Sequence, residues 1–221
     1  MNTKLNERQV WALAAGDILL RRNGFLFEYD YDMEACGENP EIIKNEILDD
    51  SWDVTDEQST FRALNFLGER GGHRTEFNHL RRMISILTPK QQDEYIQSLQ
   101  DKHHIAEMKV VQRYYPFLPP SEILAWDAGR SAFICHLCYQ VGYITYEQAW
   151  AHLMQNAIQI QSAYSSWEEF GSAFIIGRQF WRKELDDDYT EQHLSMIHDQ
   201  LANPDHIWNT LPWNLHLEPW S

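Results

Sequence analysis

Four times in this chain a hydroxyl residue is followed three positions later by Gln or Glu, and then by an apolar stripe of helical period. The four are Thr55–Gln58, Thr88–Gln91, Thr145–Gln148 and Ser166–Glu169. In such a capping box the hydroxyl accepts a free first-turn amide while the later side chain reaches back, so each is a local helix start. Pro89 adds the proline preferred in a first turn. The stripes that follow are Phe61, Leu64 and Leu67; Tyr95, Ile96 and Leu99; Trp150, Leu153, Met154 and Ala157; and Phe170, Phe174, Ile175 and Trp181. The same spacing predicts helices over residues 5–22 (stopping near Gly24), 40–50, 76–87, 121–141 and 190–202. Only residues 24–31 read as a short extended piece. The expected fold is all-α: one compact globular domain of about eight to ten helices over residues 1–202. A stiff proline-rich joint, Tyr115-Pro-Phe-Leu-Pro-Pro120, lies inside it, and a tail over 203–221, carrying Trp208, Trp213 and Trp220, is expected to pack in a surface groove.

Charge narrows the partners. Lys and Arg number 18 against 33 Asp and Glu, a formal charge of −15. That balance argues against a nucleic-acid backbone or an anionic membrane surface as partner. No apolar run approaches the ~20 residues that cross a bilayer, and the first residues lack a signal-peptide pattern, so a cytoplasmic protein is expected. Three cysteines make no disulfide framework. Twelve of the acids fall between Glu28 and Glu57, against Lys44 alone. Asp30, Asp32, Glu34, Asp49, Asp50 and Asp53 are the candidates for a docking face toward a basic protein partner. An immunity protein that neutralises a basic toxin is one concrete form. The plainer reading is a solvated surface. The run lacks the ligand order of a calcium loop, so neither metal nor cofactor is expected. The sequence does not set the oligomeric state.

Chemistry is suggested by charges on apolar stripes. Ile123, Asp127, Arg130, Ile134, Leu137 and Val141 share one helix face, and Phe170, Phe174, Arg178 and Trp181 another. Glu147 sits one turn before Trp150 on the same side. Two acids and two arginines are thus expected to point inward, where an unpaired charge costs several kcal/mol. They form either a buried ion-pair network that fixes helix packing, or a polar pocket. In the pocket, Arg130 and Arg178 would hold an anion, with Asp127 or Glu147 as acid or base. His73 is a further candidate base. Cys135-His136-Leu137-Cys138 lacks a second pair at zinc spacing and reads as core cysteines beside a surface or half-buried histidine.

Several stretches resemble the bacterial domain-of-unknown-function family numbered 1266. They are Trp126-Asp-x-x-Arg130, Gly142-Tyr-Ile-Thr-x-x-Gln-Ala-Trp150, Gln161-x-x-Tyr-Ser-Ser-Trp-Glu-Glu-Phe170 and Gly177-Arg-x-Phe-Trp181. Ser51-Trp-Asp-Val-Thr55 and Gly72-His-Arg74 are similar to that family's amino-terminal part. The resemblance covers roughly residues 11–183 and implies a helical bacterial protein. It implies a shared role for Asp127, Arg130, Trp167, Glu169, Arg178 and Trp181, without an activity. The first functional reading is therefore a protein-binding module with an acidic face. The alternative is an enzyme or small-anion binder using the inward charges.

Overall fold

Helices build every regular element described in the computed structural model, which describes residues 5–24, 39–68, 72–185 and 188–220. In chain order they are α1 (Glu7–Ala14), α2 (Asp17–Arg22), α3 (Pro40–Ile42), α4 (Asp50–Trp52), α5 (Glu57–Leu67), α6 (Gly72–Ser85) and α7 (Pro89–Ser98). Then come α8 (Lys102–Tyr114), α9 (Leu124–Gln140), α10 (Tyr146–Ala163), α11 (Trp167–Arg182), α12 (Asp188–Ala202) and α13 (Ile207–Thr210). Wider π-helical turns, Ile43–Asp49, join α3 to α4 without a break. No strand occurs among the described residues; most of the extended piece expected over 24–31 lies outside them. The compact all-helical fold read from the sequence is the one observed.

The capping boxes at Thr88 and Thr145 close as expected, each side chain meeting the other's backbone amide. At Thr55 the helix starts one residue later. Asp56 accepts from the Ser59 amide at 2.7 Å and Ser59 returns the bond, because a carboxylate at that position outcompetes the neighbouring hydroxyl. The helix expected over 5–22 breaks into α1 and α2 at Gly16, whose missing side chain lets the chain lie against the Ala132–Phe133 backbone of α9. Helix α8 was not expected at all. Its cap is Asp101, which accepts from the His103 and His104 amides at 2.8 and 3.5 Å.

Helix α9 is the axis of the fold. Every residue from Leu124 to Cys138 is buried, with α1, α2, α5, α6, α10 and α11 packed around it. A helix enclosed on all sides needs small residues for close neighbours, and α9 supplies Ala125, Ala128, Gly129, Ser131 and Ala132. A Cβ on Gly177 of α11 would strike Trp126, so that glycine sets the α9–α11 approach. A second apolar cluster forms beside this core from Phe77, Leu80 and Ile84 of α6, Ile96 of α7, and Met108, Val110 and Val111 of α8. Ile123 and Phe180 join it. The Tyr164 hydroxyl ties the turn between them, donating to the Glu122 carbonyl at 2.9 Å and accepting the Ala125 amide at 2.8 Å.

The tryptophan-rich tail lies along α1 and α10. Trp208 stacks on Trp167 with centroids 5.2 Å apart and planes 3° from parallel, and its indole N–H reaches the Ala14 carbonyl at 3.2 Å. Gln161 donates to the Trp213 and Leu215 carbonyls at 2.6 and 2.8 Å, and Trp220 stacks on Trp150. Buried Asp17 draws three elements together. It accepts from Arg21 and Gln200, both at 2.7 Å, and from His206 at 2.9 Å.

Candidate functional site

Asp127, in the first turn of α9, has no exposed surface. Its carboxylate faces the start of α6 and accepts the amides of His73 at 3.2 Å and Arg74 at 2.9 Å. A helix start presents free amides and partial positive charge, so one carboxylate from another helix caps it across the core. Gly72 makes the approach possible: it sits at φ +44°, and any Cβ there would collide with the Asp127 carboxylate. The third donor is Arg130 Nη2, one turn further along α9. Arg130 also donates Nε to the Trp126 carbonyl at 3.3 Å. Burial lowers the guanidinium's pKa from its ordinary value, and the Asp127 charge opposes that shift.

Arg130 also lines a cleft of about 830 Å³. Its guanidinium lies 4.7 Å from the Trp126 ring and 5.5 Å from that of Trp52, within cation–π reach of both. Helix α11 contributes Arg178, Trp181 and Arg182, and α12 contributes His193. The π-helical turns and α4 supply Ile43, Ile47 and Trp52, with Glu46 the one acid among the described lining residues. Arg178 donates to the Thr190 hydroxyl at 2.8 Å, and exposed Arg182 approaches Glu184 at 3.6 Å. The Trp126 indole N–H is buried and has no acceptor among the described residues. On a chain of net charge −15, three arginines thus converge with three indoles on one concavity.

The structure therefore brings Asp127, Arg130 and Arg178 inward, as their spacing suggested, and places the two arginines on one cleft. Glu147 is a correction: it is exposed, because it falls on the strip of α10 that also carries exposed Ala151 and Gln155, while Ala149 and Trp150 beside it are buried. Trp181 is another, 44% exposed at the cleft instead of sealed in the stripe. His73 is half-buried beside Phe66, and burial holds its imidazole below the ordinary value. His136, expected near the surface, is buried within α9, where desolvation lowers it to about 4. Asp49, Asp50 and Asp53 are all exposed; Asp30, Asp32 and Glu34 lie outside the described residues.

Sequence reasoning missed Trp52, Arg182 and His193 as cleft residues. Arg182 carried a signal, standing four residues after Arg178 on the same helix face. It also missed a hydroxyl–imidazole pair, Ser131 and His152 at 2.7 Å, beside a smaller cleft of about 440 Å³. Burial lowers His152 to about 4, so the ring is neutral near pH 7 and the pair satisfies two groups at the α9–α10 contact.

A family model described as a protein of unknown function, DUF1266, matches residues 47–213, more than half of the chain. The match begins later than the resemblance read from the motifs and runs further, into the tail. It contains Trp52, Trp126, Asp127, Arg130, Arg178, Trp181, Arg182 and His193. No curated relative and no solved structure matches the chain. No described helix is long and apolar enough to cross a membrane.

Proposed function

The chain belongs to the DUF1266 family, and on that footing we propose that it binds a small anion in the cleft lined by Arg130, Arg178 and Arg182. The observation that carries this reading is the convergence of those guanidinium groups on one concavity of an acidic protein. Guanidinium groups present planar forks of donors that match phosphate and carboxylate oxygens, and a low-dielectric wall strengthens each bond. Asp127 is a positioning residue here. It holds Arg130 against Trp126 and spends its remaining capacity on the α6 amides. The acidic surface supports a docking role less strongly, since exposed Asp49, Asp50 and Asp53 are equally explained by solvation.

A melting experiment tests the anion site. At low ionic strength, inorganic phosphate is expected to raise Tm in a concentration-dependent way beyond an ionic-strength-matched chloride control, because ligand that binds only the folded state stabilises it. Arg182→Ala, at a largely exposed side chain, should keep the unliganded Tm within a few degrees and lose most of the phosphate-induced rise. A shift no larger than that of chloride, or an undiminished shift in the variant, would contradict the reading.

A further inference from the structure

We infer that the anion taken by this cleft is carried on a flat aromatic ring, and that the ring seats on the exposed part of the Trp181 indole. The inference rests on the anion-binding reading above and adds the ligand's class to it. Indoles and guanidinium groups lie in contact along the cleft wall. Arg130 lies 5.5 Å from Trp52 and 4.7 Å from Trp126; Trp126 meets Trp181 at 5.6 Å; Arg182 lies 5.9 Å from Trp181. Trp126 is enclosed, with Phe174 at 5.0 Å as a further neighbour. Trp181, in contact with both Trp126 and Arg182, is 44% exposed, with Ile42 another exposed apolar residue on the same cleft.

An inorganic oxyanion needs donors alone. It would leave that indole in water and most of an 830 Å³ cleft empty, a size that suits a whole small organic molecule. A ring-bearing anion uses both halves. Its oxygens take guanidinium N–H groups, while its ring covers Trp181 in an offset or edge contact.

The test uses the full chain labelled with 5-fluorotryptophan, with 19F NMR titrations of phenyl phosphate, inorganic phosphate and phenol. Trp181→Phe assigns the Trp181 resonance. Phenyl phosphate is expected to bind about tenfold more tightly than inorganic phosphate, the worth of a good aromatic contact. It should shift Trp181 and Trp126 and leave Trp150 and Trp220 in place. Trp181→Ala should remove that advantage, so that phenyl phosphate and phosphate then bind alike. Equal affinities for phenyl phosphate and phosphate would overturn the ring seat while sparing the anion site. No shift at Trp181 with phenyl phosphate would likewise overturn the ring seat, and phenol binding as tightly as phenyl phosphate would overturn both.

Discussion

Asp127→Ala is expected to lower the free energy of unfolding by about 3–5 kcal/mol, the usual cost of breaking a buried ion pair. For a chain of this size that is a fall in Tm on the order of 10 °C. The carboxylate has no exposed surface and satisfies two amides at the start of α6 together with Arg130. Removing it strands a buried cation and uncaps a helix at once. Asp127→Asn should fall between the two, since an amide oxygen still accepts from the α6 backbone but cannot neutralise Arg130. Urea titrations of the three proteins measure the order directly. A loss below about 1 kcal/mol in the alanine variant would show that Asp127 is not a structural keystone and would reopen a chemical role for it.

The second large effect is on acid stability. His136 and His152 are both held at about 4 by burial, against an ordinary value near 6.5. Above pH ~6.5 both rings are neutral in the folded and unfolded chains, so neither adds pH dependence. As pH falls through the window from about 6.5 to about 4, the unfolded chain binds protons that the folded one refuses, and stability drops. Each histidine should contribute a loss of roughly 2 kcal/mol between pH 7 and pH 5. Carboxylates held low in the folded protein, such as those of Asp56 and Asp101, add their own losses further down. The slope is therefore compared between wild type and His152→Gln. The variant should lose markedly less stability over that interval; parallel slopes would mean that His152 titrates normally in the folded state.

What the sequence revealed and what it hid divide along the distance over which each interaction acts. Caps at Thr88, Thr145 and Ser166 involve residues three apart, so they could be read directly. The inward placement of Asp127 and Arg130 was equally legible, being a matter of register within one helix. The period misled at Glu147, because a residue three before buried Trp150 can still fall on the solvent strip, here the one shared with exposed Ala151 and Gln155. Helix α8 escaped because its start rests on Asp101 without the reciprocal Gln or Glu of a capping box. The cap that matters most for the site, Asp127 on α6, joins residues 53 and 54 positions apart, and no local pattern announces it. The cleft is longer-range still: Trp52, Arg130, Arg182 and His193 come from four segments that meet only when α11 packs on α9 and α12 packs on α11 and α2.

The anion site itself is the claim on which the functional account stands, and a crystal structure grown with phenyl phosphate tests it most directly. Phosphoryl oxygens are expected within hydrogen-bond distance of at least two of the Arg130, Arg178 and Arg182 guanidinium groups, with the phenyl ring against Trp181. Ligand found only elsewhere on the surface, with water alone between the three arginines, would contradict it.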